Sequence, residues 1–133
     1  MHPFRRLAVW EKAHALTLMI YPMTEGQMLR RFPSLAHQLR RAVSSIPANI
    51  VEGAGLGTQA QFNRHITIAL ASAREAEYHV LLAKDLGAID LKTFAVLEAR
   101  LGEVQAMLNA LGRRVRERIS GGSPPKRRTA ARS

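Results

Sequence analysis

Two long stretches of the chain repeat apolar residues at alternating spacings of three and four, and this repeat constrains the fold more than any other feature. The first stretch consists of Phe62, Ile66, Ala69, Ala73, Ala76, Val80 and Ala83. The second consists of Phe94, Leu97, Leu101, Val104, Leu108, Leu111 and Val115. Such spacing places the apolar side chains on one face of an α-helix. Because one face is rich in alanine and the other in larger residues, we expect the two helices to pack closely.

Two shorter apolar stripes precede these heptads. The first predicts a helix from about Leu7 to Tyr21 and consists of Val9, Ala13, Leu16 and Ile20. The second predicts a helix that begins near Ser34 and consists of Leu35, Leu39, Val43, Ile46 and Ile50. Pro22, Gly26 and Pro33 indicate the connection between them. Pro47 lacks an amide proton, so we expect a kink there, or a break with Ser45 capping a new turn.

Local signals mark the ends of the later helices. The glycine-rich segment 53–57 closes the second helix, and Thr58 with Gln61 forms a capping box for the third. Gly87 suits the left-handed residue that ends the third helix. Asp90 is a favourable N-cap for the fourth helix, flanked by Ile89 and Phe94 as a hydrophobic staple.

The four predicted helices are joined by connections that can reverse the chain direction. No strand pattern competes with them. We therefore predict an all-α fold, an antiparallel up-down four-helix bundle over residues 1–119. Residues 120–133 have no apolar period, and they are predicted to form a disordered basic tail.

Charge and composition narrow the classes of function. The chain of 133 residues has 20 Lys plus Arg against 10 Asp plus Glu, a formal net charge of +10, and 16 of its basic residues are arginines. This excess favours a polyanionic partner. With no cysteine there is no disulfide framework and no thiolate chemistry. The N-terminus lacks an apolar signal segment and the longest apolar stretch, 16–20, is too short to span a bilayer, so we expect a cytoplasmic protein without membrane contact.

The basic residues occur mostly as adjacent pairs near predicted helix ends and connections. Such side chains contact phosphates, and each contact releases counterions without reading sequence. We predict a nucleic-acid-binding surface made of Arg5, Arg6, Arg30, Arg31, Arg40, Arg113, Arg114, Arg116, Arg118, Lys126, Arg127 and Arg128. The second connection and the end of the fourth helix can lie at one end of such a bundle. The alternative is a solvated surface without a partner.

A second, polar stripe runs along the second helix beside its core face. It consists of Gln38, Arg41, Ser45, Asn49 and Glu52. Because a bundle needs only one buried face per helix, we interpret this stripe as a contact between subunits of an oligomer. The alternative is a solvent-facing surface on which Asn49 supports the backbone around Pro47.

The residue patterns of the chain give little support to a catalytic function. A di-iron bundle needs two Glu-x-x-His motifs, and only Glu11 with His14 matches. His37, His65 and His79 are scattered, which is typical of surface or boundary residues. The glycines of 53–57 follow a helix and lack a nucleotide-binding pattern. We therefore expect no catalytic residues, no metal and no cofactor.

Five segments carry a resemblance to a known family. They are residues 4–10 (FRRLAVW), 38–42 (QLRRA), 45–53 (SIPANIVEG), 62–66 (FNRHI) and 69–75 (ALASARE). The chain resembles the four-helix-bundle proteins of intervening sequences in ribosomal RNA genes, through about residue 110. The resemblance implies a ring-shaped assembly, a homopentamer. It also implies a relation to the accessory proteins of diversity-generating retroelements, which bind nucleic acid and a reverse transcriptase. The tail lies outside it.

These observations predict a non-catalytic, oligomeric scaffold that binds RNA or DNA through its basic surfaces. The alternative is a protein-interaction adaptor, for example for a reverse transcriptase or a ribosome-associated factor, in which the charge is secondary. A steep salt dependence of nucleic-acid affinity would separate the two.

Overall fold

Four helices make up the computed structural model, which describes Phe4 and residues 7–121. They are α1 (Ala8–Thr24), α2 (Pro33–Ala54), α3 (Gln59–Asp85) and α4 (Leu91–Gly121), and a 3₁₀ turn, Leu29–Arg31, lies between α1 and α2. Each helix packs on two others, in the order α1, α2, α3, α4 and back to α1. The part of the chain that is described contains no strand. The predicted all-α four-helix bundle is confirmed. Helix α4 continues to Gly121, two residues beyond the predicted end of the bundle, and the rest of the predicted tail, 122–133, lies outside the described residues.

The two heptads form the centre of the bundle. Every predicted position of the alanine-rich heptad on α3 is buried, and so is every position of the α4 heptad except the half-buried Phe94. The stripes on α1 and α2 are buried as well. One continuous apolar core results, and a smaller cluster around Leu29 closes the end at which α1 meets α2.

The end of α1 differs from the sequence prediction. The helix does not stop at Tyr21 but continues through Pro22 to Thr24. Pro22 lacks an amide proton and removes one helical hydrogen bond, and because it lies in the last turn, little helix follows that its ring could bend. The Thr24 hydroxyl donates to the Tyr21 carbonyl at 2.7 Å, and the Glu25 amide donates to the Pro22 carbonyl at 3.0 Å. These bonds hold the last turn together.

Of the kink or break expected at Pro47, the break is wrong, because α2 runs uninterrupted and Ser45 lies within it. Pro47 cannot donate to the Val43 carbonyl, its partner one turn back. The Thr17 hydroxyl on α1 lies 3.3 Å from this carbonyl oxygen and 2.9 Å from that of Ala13. One proton is therefore shared between the two carbonyls, and a neighbouring helix partly replaces the bond that Pro47 removes.

The predicted helix ends are largely confirmed. The Thr58 hydroxyl accepts from the Gln61 amide at 3.2 Å, although the Gln61 side chain accepts from that hydroxyl instead of the Thr58 amide. Gly87 has a φ of 73° and ends α3 in a Schellman motif. Asp90 accepts from the Thr93 amide at 2.7 Å. α2 begins one residue earlier than expected, because Pro33 suits the first turn of a helix.

Candidate nucleic-acid interface and the groove between α2 and α3

Four arginines are concentrated on the last turns of α4. Arg113, Arg114, Arg116 and Arg118 are all exposed, and Glu117 is the one acidic residue among them. Among the described residues none of these arginines forms an ion pair with a carboxylate. Basic side chains near the C-terminus of a helix also stabilise its dipole. We call this surface the arginine end.

The arginine end lies where α4 finishes beside the beginnings of α1 and α3. Arg116 donates to the Asn63 side chain on the first turns of α3 at 3.4 Å. Arg114 lines a shallow pocket with Leu7 at the beginning of α1. The exposed Arg64 adds a further positive charge from α3. The expectation that the second connection and the end of α4 share one end of the bundle is confirmed.

The structure separates the other predicted arginines from this end. Arg30 and Arg31 are exposed in the 3₁₀ turn between α1 and α2, at the opposite end of the bundle. Arg40 is half-buried and donates to the Thr24 hydroxyl at 2.9 Å, which ties α2 to the end of α1. The predicted binding residues at the termini lie outside the described residues, namely Arg5, Arg6, Lys126, Arg127 and Arg128.

The polar stripe on α2 is divided between the inside and the outside of the bundle. Ser45 and Asn49 are half-buried against α3, where the Ser45 and Ser72 hydroxyls lie 2.9 Å apart. The Asn49 amide nitrogen donates to Ser45 at 2.9 and 3.0 Å, and its oxygen lies 2.9 Å from His65 Nδ1. Gln38, Arg41 and Glu52 are exposed. Two of the five residues therefore bind α3 of the same chain, which the 3.6-residue period alone does not reveal.

His65 and His79 are buried, against the expectation of surface or boundary histidines. Each faces α2 from α3, at 8% and 7% exposure. His65 has Asn49 as a partner, with a Glu52 oxygen at 3.9 Å. His79 has no hydrogen bond on either ring nitrogen, and its nearest carboxylate oxygen, of Glu75, is 3.5 Å from Nε2.

A groove runs along the seam between α2 and α3. Its polar part encloses about 310 Å³ beside Arg41, Ser72 and Glu75. Its apolar part encloses about 510 Å³ beside Phe32, Leu35, Tyr78, His79 and Leu82. The two parts adjoin, because Ser34 and Gln38 line both. We call the whole the α2–α3 groove.

The described part of the chain contains neither a candidate metal site nor a candidate membrane-spanning helix. No group of three or more His, Asp or Glu side chains in residues 7–121 is placed to hold a metal ion. None of the four helices is both long and apolar enough to cross a membrane.

The comparison with known proteins supports the fold described above. The family model described as "23S rRNA-intervening sequence protein" matches residues 5–110. A crystal structure of a protein with unknown function from the S23 ribosomal protein family of Bacteroides thetaiotaomicron is similar, with a TM-score of 0.74 and 23% sequence identity. The similarity covers 79% of this chain and 95% of that one. At this identity it supports the fold alone. None of the curated proteins matches the chain.

Proposed function

The chain belongs to the 23S rRNA-intervening sequence protein family, and from this premise we propose that it is a non-catalytic, oligomeric scaffold that binds RNA or DNA through phosphates. The proposed place of action is the cytoplasm, and the proposed assembly is a homo-oligomer, a pentamer by the resemblance noted above. The observation that carries the proposal is the arginine end.

The arginine end has the chemistry that phosphate binding requires. A guanidinium is always charged and matches the geometry of phosphate oxygens. Arg113 points away from the core, with Arg114 and Arg116 on either side of it, so the charges cover the outer half of the helix. No carboxylate among the described residues neutralises them. A phosphate backbone laid across this end would therefore meet several free guanidinium groups.

The mode of binding is independent of base sequence. The chain has only 4 Phe, 2 Tyr and 1 Trp, so few rings are available to stack on bases. Trp10 stacks on His14 at 4.9 Å between ring centroids and contacts Phe4 edge-on. Binding of this kind is dominated by the release of counterions, and its affinity falls steeply with salt.

Fluorescence anisotropy with a mixed-sequence RNA hairpin and a DNA duplex, over a salt series, tests the proposal. Six or more phosphate contacts would weaken binding by about a thousandfold or more between about 50 and 200 mM salt. Replacing Arg113, Arg114 and Arg118 by Gln should lower the slope of log affinity against log salt by roughly 0.9 per lost duplex contact.

Arg100→Gln is the matched control, since Arg100 is an exposed arginine of the same helix, three turns before the arginine end. A chain ending at residue 121 separates the bundle from the basic C-terminal residues. Binding that is lost on truncation but unchanged by the triple substitution would refute the role of the arginine end. Absence of binding at low salt would favour the protein-interaction adaptor instead.

A further inference from the structure

The α2–α3 groove carries positive charge that no acidic side chain neutralises. Arg31 lines its apolar part and Arg41 lines its polar part, and both are exposed. Neither forms an ion pair with a carboxylate of the described residues. Glu75 is the one acid among the described residues that line the groove, and its carboxylate lies 3.5 Å from His79 Nε2 instead.

The beginning of α2 adds to this positive charge. Residues 32–35 form this end of the helix and line the apolar part of the groove. No side chain caps the helix here, and its first turn contains no acidic residue. The first amides of a helix have no helical partner, and the helix dipole makes this end positive. A carboxylate bound here would compensate both this end of α2 and Arg31.

The apolar part of the groove has the character of a binding site. It is open beside Phe32 and Leu82, and Tyr78 stands at its rim with 57% exposure. His79 lines the same part at 7% exposure, and neither of its ring nitrogens is hydrogen-bonded. The volume of about 510 Å³ lies within the range of about 300–1,000 Å³ that ligand sites occupy. A solvated helix surface needs neither such a cavity nor a buried polar group without a partner.

The groove is elongated, which favours a polypeptide over a compact ligand. Its lining residues extend from Arg31 to Ser45 along α2 and from Ser72 to Leu82 along α3. The stretch of α3 corresponds to about 15 Å at about 1.5 Å per residue, close to the length of three helical turns. A bound helix of three to four turns would cover it.

The walls of the groove favour a helix as the form of this polypeptide. Both walls are α-helices, whose backbone groups are bonded within each helix. An extended peptide would find no backbone partners there and would bury unpaired amide groups. A helix satisfies its own backbone and presents only side chains. A nucleotide would bring polar base edges against Leu35 and Leu82, whereas an apolar side chain brings none.

We propose that the α2–α3 groove binds an amphipathic, acidic helix of a partner protein. Large apolar side chains of this helix fill the apolar part, and its Asp or Glu side chains face Arg31 and Arg41. Gln38 and Arg41, two exposed residues of the polar stripe, then contact the partner helix, whereas Ser45 and Asn49 hold α2 to α3. The groove is a second binding surface, separate from the arginine end and independent of nucleic-acid binding.

Selection from a phage library of random peptides on the immobilised full chain tests the proposal. Peptides of about 16 residues allow about four helical turns. The enriched peptides should place Leu, Ile, Phe or Trp at helical spacings, with Asp or Glu beside them. Anisotropy of the labelled peptides then gives their affinity. Tyr78→Ser should weaken it about tenfold or more, since Tyr78 supplies apolar contact at the rim. Leu56→Ser is the matched control, because Leu56 is 40% exposed in the turn between α2 and α3, outside the groove.

A charge exchange tests the acidic character of the partner. Arg41→Glu should weaken binding of the selected peptides roughly tenfold, and replacing the acidic residues of a peptide by Lys should restore its binding to this variant. Arg31→Glu is a second charge variant, in the exposed 3₁₀ turn. Arg100→Glu is the control, since Arg100 is exposed on α4 and does not line the groove. Circular dichroism verifies the fold of every variant.

Four outcomes would overturn the proposal. A selection that yields no peptide dependent on Tyr78 would show that the groove does not bind a helix. Enriched peptides without acidic residues, or with unchanged affinity for Arg41→Glu, would refute the charge complementarity. Dissociation of a wild-type oligomer by Tyr78→Ser, seen by light scattering without peptide, would assign the groove to a second copy. Weaker binding of the RNA hairpin by Tyr78→Ser would assign it to nucleic acid.

Discussion

At Gly53 the backbone of α2 approaches α3 closely. A Cβ atom at this position would lie 2.6 Å from the Cβ of His65 and 3.1 Å from a ring carbon of Phe62. Neither atom can move without shifting a helix or a core ring. The absence of a side chain at Gly53 therefore allows Asn49 and His65 to meet across the seam.

Gly53→Ala should lower the free energy of unfolding by about 1–3 kcal/mol, the usual cost of overpacking a close contact. Urea denaturation followed by circular dichroism measures it. Gly55→Ala is the control, because a Cβ there would meet only backbone oxygens at 3.5 Å or more. Equal stability of the two variants would contradict the close approach at Gly53.

The shared hydroxyl of Thr17 yields a second prediction at this scale. Thr17→Val should cost about 1–2 kcal/mol of stability, because the Val43 carbonyl then has no donor on either helix. In a Pro47→Ala background the restored amide can donate to this carbonyl, so the cost of Thr17→Val should be smaller. Thermal or urea unfolding of the four chains in this double-mutant cycle measures the difference. A cost that is the same in both backgrounds would show that Thr17 does not compensate for Pro47.

At the scale of single helices, sequence patterns predict cores well and helix ends unevenly. The heptads on α3 and α4 were correctly predicted as buried faces, because burial in a long amphipathic helix follows from its period. The end of α1 was not correctly predicted. Pro22 indicates a helix end at Tyr21, but the hydrogen bonds of Thr24 and Glu25 hold a further turn. A helix cap is predictable from sequence when the capping side chain binds the backbone of its own helix, as Asp90 binds the Thr93 amide.

The start of α4 should depend on pH through Asp90. The backbone amide of Thr93 donates to this carboxylate and, with its hydroxyl, lowers the pKa of Asp90 below the ordinary value. A lowered pKa in the folded state stabilises the fold above the ordinary pKa, and this contribution is lost as pH falls through the lowered value. The stability difference between wild type and Asp90→Ala should therefore shrink in strong acid.

Unfolding of wild type, Asp90→Ala and Asp90→Asn across a pH series measures this effect. Asparagine also caps helices but does not titrate, so the difference between the Asn and Ala variants should not change with pH. If the wild-type advantage over Asp90→Ala persisted unchanged in strong acid, the ionised carboxylate would not be what stabilises the start of α4.

The positive charge is unevenly distributed over the whole molecule. Six of the 20 basic residues lie outside the described part of the chain, at Arg5, Arg6, Lys126, Arg127, Arg128 and Arg132. The described bundle thus has 14 basic and 10 acidic residues, so its positive character is local. It is concentrated at the arginine end.

Salt should therefore act differently on the two proposed interactions of the molecule. The affinity for nucleic acid should fall steeply between about 50 and 500 mM salt, because counterion release dominates it. The association of subunits through an apolar interface should change by less than about threefold over this range, since apolar contact is hardly screened. Sedimentation velocity without nucleic acid measures the latter. Dissociation of subunits at high salt would indicate an interface of charges instead.

The sequence by itself determined the helices, their buried faces and most of their caps, because each depends on residues within a few turns of one another. It also revealed the excess of arginine. Only the tertiary structure decided which faces stay uncovered once four helices have packed. It separated Arg30 and Arg31 from Arg113 and Arg114, and it turned Ser45 toward Ser72. It also left Leu18, Met19 and Tyr21 of α1 exposed, since coverage depends on residues that are distant in the chain.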